Sequence, residues 1–462
     1  MAAGPELSAG DTAWMLTAAA LVLLMTPGLS FFYGGMVGFR NVVSTMLQSI
    51  VALGVMSVFW VVVGFSLAFG DDVGGWGIIG NPATFFMFDG VTEGTFTLGK
   101  NPEASSLALA VPLLVFAMFQ LKFAIITPAL ITGAFAERVR FSAYLVFMVL
   151  FSLLIYCPLA HMTWHPDGLF WGWSVKDFAG GTVVHMSAGV TALAAAMVLG
   201  RRKIHLAKEA HTPANIPYVL LGTGLLWFGW FGFNAGSAGG ATGTAAMAFA
   251  TTNTASAAAM LAWMFFDWMM GKKPSALGAC IGAVVGLVAI TPAAGFVSVR
   301  DSIVIGVVAS VVSNLAVHLR TKSTLDDTLD VFPCHGIGGI VGMILTGVFA
   351  KDVGLVDAGL AGEDGVFGGT DAIFVNQLLA LVIAVTYTFV AAFVCLKLTD
   401  WVIRLRVTEE QELAGLDLSQ HGETAMGSDI LNGTAYGIAA RVASSSGGAS
   451  APAERELVGS GR

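Results

Sequence analysis

Apolar residues occur along the chain in runs long enough to cross a bilayer, with polar residues gathered between them. A helical crossing needs about 20 apolar residues. Eleven such runs can be placed, at 12–36, 41–69, 107–135, 141–160, 177–200, 215–236, 243–270, 275–294, 301–318, 331–350 and 373–404. Several exceed 25 residues, and the third holds Pro112 and Pro128, so tilt or bending is expected. An odd number of crossings puts the termini on opposite faces.

The basic residues choose the faces. Arg40, Arg138, Arg140, Arg201, Arg202, Lys203, Lys208, Lys272, Lys273, Arg320 and Lys322 follow odd-numbered runs. The loops after even-numbered runs hold only Lys100, Lys176, Arg300 and Lys351. Cytoplasmic loops carry the excess of Lys and Arg, which predicts an external N-terminus and a cytoplasmic C-terminus. Residues 1–406 are then the membrane domain and 407–442 a cytoplasmic tail. The Ser/Gly/Ala-rich end, 443–462, is expected to be disordered. Two outer loops, 70–106 and 351–372, are long, acidic and glycine-bearing.

Composition agrees with the pattern. Charged residues make up 11% of the 462, against about 25% in soluble domains, and mean hydropathy is +0.79. Such a chain cannot cover a water-facing surface of its size. The net charge of −8 comes from loops and tail and gives no reason to expect a nucleic-acid partner. Cys157, Cys280, Cys334 and Cys395 lie in apolar runs without C-x-x-C spacing, so neither a disulfide framework nor a zinc site is expected. No basic segment precedes the first apolar run, and no cleavable signal peptide is expected.

The fifth run begins "DFAGGTVVH" (177–185). Asp177 precedes a helix, where its carboxylate can cap free N–H groups; direct contact with a ligand is the alternative. His185 lies about 12 Å deeper along the helix, near mid-membrane. An ionisable group at that depth costs several kcal/mol and is read as functional, with a partner to be found. The partner is His335 in "DVFPCHGIGGIVG" (330–342), the one other histidine deep within a run. His161 and His165 lie at the outer end of the fourth run, His205 and His211 in a basic loop, His318 at an inner end and His421 in the tail.

Two neutral imidazoles can pass a proton, since each has one donor and one acceptor nitrogen. A hydrogen-bonded packing pair and an axial haem pair are the alternatives. Runs one to five end with Asp177 and His185, and runs six to ten with Asp330 and His335. Five is odd, so the second unit is threaded upside down, as in inverted-repeat transporters. The fold class expected is an all-α polytopic membrane protein of eleven transmembrane helices, an inverted five-helix repeat plus one extra helix.

Aromatic faces with a few hydroxyls recognise cations. "FGWFGFNAGSAG" (228–239) supplies Trp230, Phe233 and Ser237; "FQLKF" (119–123) supplies Phe119 and Phe123; "HMTWHPDG" (161–168) supplies Trp164. Each alone reads more simply as belt or core. Lys122 is turned about 100° from Phe123, away from any pore, toward a subunit interface or the headgroups. Asp267, near the inner end of the seventh run, is expected to reach the membrane surface.

Together, D-F-A-G-G-x-x-V-H, W-F-G-F-N-A-G-S and D-V-F-x-x-H-G resemble the ammonium transporter (Amt/Mep/Rh) superfamily, on its Amt side. The resemblance runs from "TPGLSFFYGGMV" (26–37) to "HGETA" (421–425). It implies a homotrimer with a pore in each subunit. Trp164, Phe119 and Ser237 would form an outer ammonium recruitment site. Phe123 and Phe233 would be a stacked pair closing the pore, and His185 and His335 twin histidines lining it. Asp177, with Trp230, would shape the vestibule. It further implies a PII-type signal protein docking at the cytoplasmic face and a regulatory role for 407–442. No cofactor and no enzymatic activity are implied.

Ammonium and potassium are alike in size and charge, so a filter based on those properties separates them poorly. A pore that strips a proton succeeds, because ammonium alone becomes neutral, while a bare cation in an apolar constriction faces a large solvation cost. Electrogenic uptake is therefore expected, with ammonia passing between histidines that relay the proton. A sensor on the same fold, and a membrane redox or metal protein using His185 and His335 as ligands, are the competing readings.

Overall fold

The computed structural model describes residues 2–101, 105–209, 211–351 and 371–425. Helices follow the apolar runs: α1 Ala9–Met36, α2 Phe39–Phe69, α3 Leu113–Phe135, α4 Phe141–Gly172, α5 Gly181–Leu199, α6 Ile216–Gly236, α7 Gly243–Met269, α8 Ala276–Ile290, α9 Val299–Lys322, α10 Phe332–Phe349 and α11 Phe374–Val402. Among the described residues, nine are long and apolar enough to cross a membrane; α7 and α8 complete the eleven. Ser8, Asn215, Thr242, Ser275 and Ser298 cap α1, α6, α7, α8 and α9, each side chain accepting a hydrogen bond from a first-turn N–H. Below, the face carrying the basic loops is called inner and the opposite face outer.

The third apolar run starts later than its sequence suggests. Ser105–Leu109 is a strand paired antiparallel with Phe96–Asn101, which also pairs with Ala2–Ala3. Pro112 is the N-cap of α3 and lies outside the helix, while Pro128 is inside it. Proline forces the residue before it out of the helical region, so the apolar stretch from 107 to 111 reads as helix only by composition. The fifth run also starts late, at Gly181, because Gly180 is left-handed with φ 110°.

Small residues let the repeat close. A Cβ on Gly222 of α6 would collide with the backbone of Phe32 in α1, and one on Gly189 of α5 would collide with the backbone of Gly336 in α10. Such close approach is how membrane helices gain packing contact. The pairs α1·α3 and α2·α3 are echoed by α6·α8 and α7·α8, and α11 packs outside the repeat on α4, α5 and α10.

The equivalence of the two halves is closest where α5 and α10 begin. Each opens with a π-helical turn, Gly181–Met186 and Phe332–Ile337, and each turn carries one of the deep histidines. The acid that matches Asp177 is Asp327, not Asp330 as the order of residues suggested. Asp327 stands eight residues before His335, as Asp177 stands before His185. Its carboxylate accepts from Val331 N at 3.1 Å and Phe332 N at 2.7 Å. Asp330 instead pairs with Arg320 at 2.7 Å.

On the inner face the tail folds back over the loops, with Glu409–Ala414 helical. Leu416 N donates to Asn41 Oδ1 at 2.8 Å, Ser44 N to Asp417 Oδ1 at 2.7 Å and Lys203 N to Glu412 Oε1 at 2.7 Å. The remainder of the 407–442 tail beyond 425, the 443–462 end and residues 352–370 of the acidic outer loop lie outside the described residues. Asp267 does not reach the surface. It is buried, accepting from Asn314 Nδ2 at 3.2 Å and pairing with Lys272 at 3.4 Å. The four cysteines are buried and free.

Candidate functional site

An outer cavity of about 480 Å³ leads into the bundle, its wall including Phe119, Phe123, Trp164, Asp177, Lys176 and Ser237. Asp177 builds much of it. Its carboxylate accepts from Gly180 N at 2.8 Å, Gly181 N at 2.7 Å and Thr182 N at 2.8 Å. Its backbone carbonyl accepts from Trp164 Nε1 at 3.1 Å. The expected helix cap is therefore present, and the same residue aims the indole. Gly180 has a further reason to be glycine, since a Cβ there would press on Val184 at 2.8 Å and on the Trp164 ring. Ser237 Oγ donates to Phe233 O at 2.8 Å, which leaves the oxygen lone pairs for an N–H donor.

The cavity floor is aromatic. Phe123 and Phe233 meet at 4.2 Å between ring centroids, and Phe119 stands edge-on to Phe123 at 5.0 Å. Beneath them the imidazole of His185 stacks on Phe233 at 5.8 Å and on Trp230 at 5.1 Å. Trp230 donates through Nε1 to Thr291 Oγ1 at 2.9 Å, which fixes that ring as a side wall. Such stacked pairs add about 0.5–1.5 kcal/mol each beyond their buried area.

His185 and His335 face each other with Nδ1 atoms 3.4 Å apart, both side chains buried. In a neutral pair one ring donates through Nδ1 and the other accepts, so one Nε2 is an acceptor and the other an N–H donor. His185 Nε2 is buried without a hydrogen-bond partner, a condition that asks for a polar visitor. No third His, Cys, Asp or Glu joins the pair as a possible metal ligand among the described residues.

Below His335 lies a small pocket of about 10 Å³, lined by residues such as Tyr33, Val284 and Cys334, close to the limit for one water. It shares Met36, Ile281 and Leu329 with an inner cavity of about 270 Å³ that holds Arg202, His205, Arg320 and Asp330. Burial pushes the Asp330 carboxyl up to about 7 despite the opposing charge of Arg320. Around it runs an ionic network: Arg202 pairs with Glu137 at 2.6 Å and with Asp326 at 2.8 Å. Burial opposes ionisation of Glu137, but the hydrogen bond with His211 and the charge of Arg202 pull its carboxyl down to about 2.

All nine sequence candidates are therefore joined by contacts running from the outer cavity to the pocket below His335. Lys122 is half-buried, forms no ion pair or hydrogen bond among the described residues, and is absent from the cavity wall. His161 and His165 are buried and stacked at 4.5 Å, with His161 also facing Ala68 O and Asp72, and so pin the outer loop instead. Asp327 was missed, although the shared eight-residue spacing to histidine could have found it. Thr291 and the π-turns carry no signal of that kind.

A family model described as Ammonium Transporter Family matches residues 13–426. An ammonium transporter of Bacillus subtilis is 44% identical over 417 residues, 90% of this chain and 98% of the relative. One of Mycobacterium tuberculosis is 43% identical over 441 residues, 92% of each chain. Saccharomyces cerevisiae Mep2 matches in structure with a TM-score of 0.77 at 34% identity, covering 88% of this chain and 89% of the other. A structure named "Sensor Amt Protein" gives a TM-score of 0.77 at 28% identity, covering 89% and 98%.

Proposed function

The chain belongs to the ammonium transporter family, and from that membership we propose that this multi-pass membrane protein takes up ammonium selectively across the cell membrane. Ammonium enters the outer cavity and lies against Trp164 and Phe119, donating a hydrogen bond to Ser237. Cation–aromatic attraction there is worth about 0.5–2 kcal/mol. At the Phe123–Phe233 gate it gives up one proton. Ammonia passes the gate and moves along the imidazoles, while the proton is relayed through the histidine pair. The two recombine at the inner cavity, so one positive charge crosses for each ammonium.

The observation that carries this reading is the buried imidazole pair, 3.4 Å apart directly beneath two stacked phenylalanines. An apolar gate rejects a bare cation, and a donor–acceptor chain below it serves a neutral hydrogen-bonding molecule and a proton. The small pocket below His335, about 10 Å³, is on the scale of a single water. Neither a cofactor nor covalent chemistry on the substrate is invoked.

The remaining parts follow from family membership. We assign an external N-terminus, a homotrimer with one pore per subunit, and a regulatory role for 407–442 with a PII-type protein docking at the inner face. The hold of the tail on the loops at Asn41, Ser44 and Lys203 supports a tail that reports on those loops. The sensor reading has one support, the likeness to the structure of that name; its 28% identity is below the 44% shared with a transporter.

The test is current across proteoliposomes after a rapid ammonium jump, with an equal potassium jump as control. Current with ammonium alone is expected, lost when His185 and His335 are both replaced by alanine. Equal currents with both ions, or an undiminished current without the imidazoles, would overturn the mechanism.

A further inference from the structure

Gln377 lies in the first turns of α11, the helix outside the repeat, with its side chain fully buried. It is not part of the outer cavity wall. Its amide oxygen accepts from Lys176 N at 2.9 Å, and its amide nitrogen donates to Lys176 O at 2.7 Å. The same nitrogen reaches Met343 O of α10 at 3.4 Å. Beside it, Asn376 Nδ2 donates to Trp173 O at 3.1 Å. Buried backbone groups outside regular structure must find partners somewhere, and this connection finds them on α11.

The segment gripped in this way ends at Asp177, whose carbonyl holds the Trp164 indole and whose carboxylate holds the first turn of α5. The inner half of the repeat has the same need and meets it with a different residue. Fully buried Arg138 donates to the carbonyl of Asp326, the residue just before Asp327, and to Thr328 Oγ1 at 2.7 Å. In each half, then, a buried side chain from elsewhere in the fold, on α11 in one case and in the α3–α4 connection in the other, grips the backbone one residue ahead of the capping acid.

Resting on the recruitment reading above, we propose that Gln377 is a positioning residue for the outer ammonium site. Through the Lys176 backbone it sets where Asp177 and the Trp164 indole stand. Only an amide serves both groups: a carboxylate accepts from Lys176 N but cannot donate to Lys176 O, and a hydrocarbon does neither. The reach to Met343 ties this anchor to the helix that carries His335.

The experiment is the ammonium concentration dependence of current in proteoliposomes of the full chain, normalised to folded protein by size-exclusion chromatography. Gln377→Leu is expected to raise the half-saturating ammonium concentration about fivefold, the size of one net hydrogen bond, while maximal current per folded transporter holds. Asn376→Ala, at a half-buried position, loosens the same segment more mildly and shifts the value the same way by a smaller factor. Trp164→Ala raises it too, and the double variant Trp164→Ala/Gln377→Leu matches Trp164→Ala instead of multiplying the two effects. Multiplying effects, or a loss of maximal current at unchanged half-saturation in both Gln377→Leu and Asn376→Ala, would reduce Gln377 to a packing residue and overturn the proposal alone. An unchanged half-saturation in Trp164→Ala would overturn the recruitment reading and the proposal with it.

Discussion

Replacing Asp327 by asparagine should disable the inner half of the proposed relay and leave the outer half intact. The Asp327 carboxylate accepts from Val331 N at 3.1 Å with one oxygen and from Phe332 N at 2.7 Å with the other. An amide of the same shape keeps one acceptor and turns an NH₂ group toward the second backbone N–H. One charge-assisted hydrogen bond is lost, worth about 1.5–3 kcal/mol, and a buried donor is left unsatisfied at a further cost of about 1–3 kcal/mol. The two figures overlap, since both count the same lost contact, and a combined cost of about 3 kcal/mol corresponds to roughly a hundredfold in the population of the native turn. That turn carries His335, and the 3.4 Å contact with His185 depends on it. Ammonium currents in proteoliposomes should therefore show a maximal value reduced by about 10- to 100-fold at an unchanged half-saturating concentration. Asp177→Asn should lower the maximal current too, because its turn carries His185. It should also raise the half-saturating concentration, because loosening that turn shifts the backbone carbonyl that holds the Trp164 indole. A full maximal current in Asp327→Asn would refute the argument that the capped π-turn sets the histidine, as would a change confined to half-saturation.

Three further outcomes follow from the same geometry. Glu137, with a folded value of about 2, contributes stability that is complete above its unfolded range near pH 4.5 and is lost as pH falls through about 2; thermal unfolding in detergent between those values should show the loss, and Glu137→Gln should flatten it. Lys176, whose ammonium sits 5.6 Å from the Phe296 ring centroid at the cavity wall, repels an incoming cation. Lys176→Ala should lower the half-saturating ammonium concentration about two- to threefold at low ionic strength, with the difference vanishing near 1 M salt. Gly189→Ala places a methyl group against the backbone of Gly336 and should cost at least the 1–3 kcal/mol typical of overpacking. Its thermal stability should fall measurably below that of Gly224→Ala, where a methyl group meets nothing within 4 Å.

The eleven crossings were legible because lipid leaves no choice: each needs a long apolar run, and polar loops must separate the runs. Their starts were less so. Residues 107–111 are apolar yet partly strand and loop, since hydropathy does not distinguish the two ahead of a proline. The two histidines were legible from their depth in apolar runs, whereas Trp164 and Ser237 stood out only in combination and through the family resemblance. Asp327 was hidden by Asp330, which lies nearer to His335 and draws attention to itself. Gln377 could not have been read at all, since it acts on the backbone of Lys176, 201 positions away, where the side chain carries no trace of the contact.

The inverted repeat has a consequence for direction. His185 and His335 occupy matching places in two units threaded in opposite senses, each eight residues after its own capping acid. The middle of the proposed conduit therefore looks much the same from above and from below, and the relay proposed for it is reversible by construction. The unlike mouths, one aromatic and the other ionic, can then set how readily each side loads, while the direction of net flow is left to the gradients outside them.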